Sequence, residues 1–280
     1  MIIPDGILYL LPFETLRLGK TSSMLVEQLE VTYAPSTTSL IQLVRTRNNP
    51  KGEGDVLIIG RSEIDVDNSR SFDSGKILED LFISMGFDFT PLPFIGKEIN
   101  KVERSFSKGT CSILQKDRAT EEVFKSLALD RFNLIHFACH SFHDTIVPLR
   151  SSLILGQEGV EDGFLQAREI LQLNIKADMV VMSGCQTGRG SIASGEGVIG
   201  LPRVFFYAGA KSVLSSLWPV SDEASAEFMG QFYSNLARGL GRSRSLRLAK
   251  IKMLETRFKH PFFWAPYVLY GDPQFDRPAR

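Results

Sequence analysis

Residues 133–141 read NLIHFACHS, and residues 177–188 read ADMVVMSGCQTG. Each is a short apolar run that ends in small and reactive residues. Runs this continuous suit strands buried on both faces, as in a parallel sheet, better than strands with one wet face. DVLIIG (55–60) and KSVLSSL (211–217) repeat the pattern, and WAPYVLY (264–270) supplies a fifth strand. Amphipathic stretches of helical period fall between them, at 75–86, 97–107, 120–129, 164–173, 198–208, 223–239 and 243–258. Thr120 followed by Glu121 and Glu122 reads as a helix start, and Gly209 and Gly239 read as stops. Strands alternating with helices specify an α/β fold around a mostly parallel sheet.

The bulk properties agree with a globular chain. The 280 residues are 43% hydrophobic and 23% charged, enough for one large domain or two small ones with a real core. Lysine plus arginine and aspartate plus glutamate both number 32, so no bulk field draws the chain to nucleic acid or to an anionic membrane. Three cysteines, Cys111, Cys139 and Cys185, are too few and too odd for a disulfide framework. With no basic leader and no long apolar run, the expectation is a soluble, cytoplasmic chain with reduced thiols. Residues 61–74, rich in Asp, Ser and Asn, read as an exposed loop, and Arg61 and Arg70 make it a candidate site of self-cleavage. A division near residue 108 separates an N-terminal subdomain (1–108) from the half that holds the reactive residues (109–280).

In open parallel sheets, functional groups collect at the carboxyl ends of strands. Two strands here run into such groups, one into Cys139-His140-Ser141 and the other into Gly184-Cys185-Gln186. If they are neighbours, the imidazole of His140 and the thiol of Cys185 meet at one edge, with enough chain between them for a right-handed crossover. A nearby imidazole lowers a thiol's pKa and returns a proton to a leaving amine. Backbone N–H groups around Gly184 and Gly188 could hold an oxyanion. Bland readings remain open. A cysteine after an apolar strand is commonly a small hydrophobe, and a strand-end histidine is commonly just hydrogen-bonded. His136 reads as an interior histidine, and His143 and His260 as surface residues, with His143 the reserve base. Cys139 should face away from His140, and Cys111 reads as strand packing. No Cys-x-x-Cys or His-x-x-x-His spacing suggests zinc, and the glycines at 188–197 lack the Gly-Lys-Ser/Thr of a phosphate loop.

Five motifs, HFACHS (136–141), SGCQTGRG (183–190), GEGVIGL (195–201), AGAKSVLSSLWPVSDEA (208–224) and HPFFWAPYVLYGDP (260–273), resemble in order and spacing the CHAT domain. IPDGILYLLPFETL (3–16) and VTYAPSTTSL (31–40) resemble its start. The family is similar to caspases and separase. The resemblance implies a caspase-like three-layer α/β/α sandwich whose N-terminal half is a degenerate copy of the catalytic half. It implies a cysteine peptidase with His140 as base and Cys185 as nucleophile; from the missing metal and phosphate-loop spacings, no cofactor and no metal are expected. Ser141 stands where the family has glycine, so a glycine-only dihedral there would be strained. Gly184 replaces an alanine. Both belong to the oxyanion turn. Asp222 matches the residue that holds a basic side chain before the scissile bond in separase-like relatives, although it also sits where a helix N-cap belongs. The implied partners are a protein substrate and a regulatory partner or helical-repeat region, with no nucleic acid and no membrane. The alternative is a catalytically silent caspase-like interaction module, and a flavodoxin-like scaffold is a third reading.

Overall fold

A computed structural model describes residues 1–19, 23–38, 41, 55–63, 90–107, 110–144, 146–184, 191–193 and 197–274, with backbone alone at 191–193 and 197–199. In chain order the regular elements are α1 (Leu25–Gln28), β1 (Asp55–Gly60), α2 (Ile95–Glu103), β2 (Cys111–Gln115), α3 (Glu121–Ser126) and β3 (Phe132–Ala138). There follow β4 (Ser141–Phe142), β5 (Ser152–Ile154), β6 (Phe164–Gln166), α4 (Ala167–Ile170) and β7 (Met179–Met182). The chain continues through β8 (Ser191–Ala193), β9 (Gly197–Ile199), α5 (Leu201–Tyr207), β10 (Ser212–Ser216), α6 (Asp222–Ala237), α7 (Arg242–Met253) and β11 (Tyr267–Gly271).

Six strands form the central sheet in the order β11-β10-β7-β3-β1-β2. Every pairing is parallel except that of β11, which runs antiparallel to β10. β3 shows why a continuous apolar run was the right signal. Leu134, Ile135, Phe137 and Ala138 are all buried because both faces of the sheet are covered. On one face Val56, Ile58, Leu134 and Val181 pack against α2, α6 and α7. On the other, Leu57, Ile59, Ile135 and Val180 pack against α3, α4 and α5. The result is the expected three-layer α/β/α sandwich. The division expected at residue 108 falls between α2 and β2, and strands from either side of it share this one sheet.

The sheet's last edge is not left open. Tyr33 donates its N–H to Leu269 and accepts from Gly271, both at 2.8 Å, and Ile2 bridges to Tyr33 in turn. The N-terminal segment thus blocks the row of free amides that an edge strand would otherwise present. A buried ionic knot holds it there. Lys250 Nζ on α7 lies 2.7 Å from Glu14 Oε1, and the Tyr33 hydroxyl donates to Glu14 Oε2 at 2.6 Å. Lys250 and Glu14 are 1% and 2% exposed, and burial lowers the lysine pKa.

α2 approaches the sheet closely at Gly60. A Cβ there would collide with Ile99 and crowd Ile95 at 3.0 Å, so the absence of a side chain sets the helix-to-sheet distance.

Several boundaries differ from the sequence reading. The stretch 164–173 begins as β6 and is helical only over Ala167–Ile170. The stretch 198–208 begins in a hairpin, with Gly200 extended and Pro202 near the start of α5. Thr120 does cap α3, its Oγ1 accepting from Val123 at 3.2 Å, and Gly209 and Gly239 take positive φ where helices stop. The expected helix at 75–86 lies outside the described residues, as do residues 64–74 of the expected loop. Arg61 is buried rather than exposed: its N–H donates to Ala138 at 3.0 Å and its Nη1 to Lys116 O at 2.9 Å. No helix among the described residues is long and apolar enough to cross a membrane.

Lys250→Met should leave the Glu14 carboxylate buried beside a neutral chain, and urea unfolding should read a loss of about 3–5 kcal/mol. Gly60→Val should wedge α2 from the sheet at a cost of about 1–3 kcal/mol in the same assay.

Candidate functional site

β3 and β7 are direct neighbours, paired as His136 with Val181 and Phe137 with Met182. The ladder runs on past the strands, since Ser183 donates its N–H to Phe137 O at 3.0 Å. In sequence, His140 and Cys185 each lie three residues beyond the Phe137–Met182 pair. His140 is 5% exposed, and its carbonyl accepts the Ile154 N–H at 2.9 Å. Ser141 pairs with Leu153, so the small antiparallel sheet β4-β5-β6 holds the backbone from the histidine's carbonyl onward. On the facing chain, the Gly184 carbonyl accepts from Ser216 Oγ at 2.8 Å, which ties the end of β7 to β10. Cys185 itself lies outside the described residues.

Ser141 is free of the strain that a glycine at this position would have signalled. It sits in strand β4, and among the described residues Lys116 alone of the non-glycine residues has a positive φ. Serine is therefore compatible with the backbone.

Beside Gly184 the carboxyl ends of β3 and β7 meet the starts of α2 and α6 around a cavity of about 20 Å³. Leu92, Ile95 and Glu98 come from the α2 side, Ala138 and Gly184 from the strand ends, and Asp222 from α6. Asp222 is not the N-cap of its own helix. Ser221 is, its Oγ accepting from Ala224 at 3.4 Å. The Asp222 carboxylate instead accepts the Phe94 N–H at 2.8 Å, at the positive end of α2.

The remaining histidines have other partners. His136 is fully buried, with Nδ1 3.0 Å from the Tyr233 hydroxyl and Nε2 2.9 Å from Glu98 Oε1. Burial raises the Tyr233 pKa well above the ordinary value, so that hydroxyl stays protonated beside the ring. His143 is half-buried rather than a surface residue, its Nδ1 3.2 Å from Ser151 Oγ. His260 is exposed and accepts from the Phe262 N–H. Burial pushes the Cys139 thiol up to about 12, so it is no nucleophile near neutral pH. Cys111 is half-buried, and burial raises its thiol pKa too. Three carboxylates, Glu121, Glu161 and Glu169, cluster within 4.8 Å of one another, but Lys125 Nζ sits among them at 2.7, 2.7 and 3.0 Å. A cation of the chain's own fills the place a metal would take.

Sequence reading missed Glu98. Its signal was positional: Ile95, Glu98, Ile99 and Val102 form one helical stripe, and a carboxylate at a buried stripe position calls for a partner.

A family model described as the CHAT domain matches residues 1–272. Human tetratricopeptide repeat protein 28 is 27% identical over 320 residues, covering 100% of this chain and 12% of that protein. Its mouse counterpart is 38% identical over 117 residues, covering 41% of this chain and 5% of that protein. The chain therefore spans a small part of these curated relatives. Among solved structures, separase in the Saccharomyces cerevisiae separase–securin complex superposes with a TM-score of 0.59 at 17% identity, over 94% of this chain and 15% of that one. The Arg-specific cysteine proteinase gingipain R superposes with a TM-score of 0.55 at 11% identity, over 92% of this chain and 56% of that one. At these identities the likeness is one of fold, the caspase-like fold that separase and gingipain share. With the family model covering nearly its whole length, the chain belongs to the CHAT domain family.

Proposed function

We propose that the chain is a cysteine endopeptidase working through a His140/Cys185 dyad. The observation that supports this reading is the register of β3 on β7, since His140 and Cys185 each follow the Phe137–Met182 pair by three residues of sequence. In the proposed reaction His140 takes the Cys185 proton and the thiolate attacks the scissile carbonyl carbon. Charge collects on the carbonyl oxygen, held by backbone N–H groups near Ser141 and Gly184. His140 then gives the proton to the departing amine, leaving a thioester that water hydrolyses to the acid and the free thiol.

Asp222 is the proposed contact for a basic side chain before the scissile bond, and the Arg specificity named for gingipain R supports that direction. A regulatory partner or an attached helical-repeat region is also proposed. The support is that the relatives are tetratricopeptide repeat proteins and that the yeast neighbour was solved with securin. A reduced, cytoplasmic setting follows from the sparse cysteines. We keep the 1–108 half as a degenerate copy of the 109–280 half in this reading.

A second reading, a catalytically silent interaction module, draws on the narrowness of the cavity beside Gly184. At about 20 Å³ it has room for about one water and excludes a long side chain as it stands.

Peptidyl acyloxymethyl ketones separate the two. The peptidase should be labelled at Cys185, with no label on Cys185→Ala and a rate lowered by about 100-fold or more in His140→Ala. An unlabelled parent, with and without candidate partners, would leave the interaction module standing. Cys139 should stay unmodified by iodoacetamide at pH 8 until the chain is unfolded, as peptide mapping would show.

A further inference from the structure

Two carboxylates border the cavity beside Gly184, and they come from opposite halves of the chain: Asp222 on α6 and Glu98 on α2. Glu98 is 2% exposed and sits in the apolar stripe that presses α2 onto the sheet. A buried carboxylate is costly unless something uses it. One oxygen is used, by His136 Nε2 at 2.9 Å, and Tyr233 braces the far nitrogen of that ring at 3.0 Å. This bracing fixes where the carboxylate stands. A glutamine at this position would keep an acceptor oxygen for His136 while removing the carboxylate. The same side chain that reaches His136 also lines the cavity.

Position along α2 adds to the case. Phe94, whose N–H occupies Asp222, starts the helix, and Glu98 lies one turn farther in. A cationic side chain entering past Asp222 would therefore meet Glu98 next. The cavity must widen to admit it, and the Phe94 N–H on Asp222 is the contact such a cation would replace with a stronger, charge-assisted one.

We propose, resting on the peptidase reading, that Glu98 is a specificity-determining residue. Its carboxylate forms the inner wall of the pocket for the side chain before the scissile bond and, with Asp222, selects arginine or lysine there.

The test compares Cys185 labelling by otherwise identical ketones bearing arginine, lysine or leucine at the terminal position. Reading ratios between probes cancels any general change in reactivity. The parent should prefer arginine to leucine, and Glu98→Gln, which keeps the acceptor for His136, should cut that preference roughly tenfold or more. Glu98→Asp keeps the buried charge but draws it back by one methylene, so its arginine-over-lysine ratio should rise, because only the longer guanidinium still reaches. A thermal melt alongside checks that each variant is folded. A parent without arginine preference overturns the inference. So does a folded Glu98→Gln whose preference stays within about twofold of the parent, or a Glu98→Asp whose arginine-to-lysine ratio does not move. A parent unlabelled by every probe overturns the peptidase reading itself and this inference with it, an outcome distinct from labelling without selectivity.

Discussion

The parallel pairing of β3 with β7 is the constraint on which the rest of the site depends. The two strands are neighbours at the middle of the sheet, flanked by β1 and β10, and their registration is enforced by burial on both faces. A slip of one residue would turn Leu134 and Val181 toward the wrong layer and bring His136 out of reach of Glu98 and Tyr233. The same registration brings the chain end that carries His140 and the one that reaches Gly184 to one edge. Lesser contacts then fix the two chains where they leave the sheet: Ile154 on the His140 carbonyl, Leu153 against Ser141, and Ser216 on the Gly184 carbonyl.

Around that axis, buried polar networks bind together parts of the chain far apart in sequence. Glu98–His136–Tyr233 joins α2, β3 and α6 in one apolar layer. Glu14–Lys250, with Tyr33, joins the N-terminal segment to α7 across 236 residues of sequence. Such networks are strongly held only while complete, because each member left alone would be an unpaired polar group in a low-dielectric interior. They differ from the contact that narrows the cavity beside Gly184. There a half-buried Asp222 carboxylate meets one backbone N–H, and parting them exposes both groups to water rather than stranding them. The fold thus places a satisfied polar network beneath the half-buried contact of Asp222 with the Phe94 N–H.

Much of the architecture was legible in the sequence because doubly covered strands must be apolar throughout. DVLIIG, NLIHFA and MVVM could hardly be anything else, and β1 emerged with the boundaries read for it. β2 was harder to see. Only Leu114 of CSILQ is fully buried, as expected of an edge strand, and so the continuous apolar signal fails. The short strands β4, β5 and β6 escaped because two or three residues carry no period, and their pairing is decided by partners distant in the chain.

Taken alone, the sequence determined the α/β class, the strand-end position of His140, the helix start at Thr120 and the stops at Gly209 and Gly239. All of these are governed by residues near one another in the chain, through burial pattern, capping and glycine's tolerance of positive φ. Tertiary structure alone decided that Arg61 is buried and that Asp222 serves the start of α2 while Ser221 caps α6. It also decided that Glu98 joins His136, and that three glutamates gather around Lys125 rather than a metal. Each of these pairs groups from different elements, and the partner of a buried charge is chosen by the geometry that brings the elements together, which no local pattern of residues records.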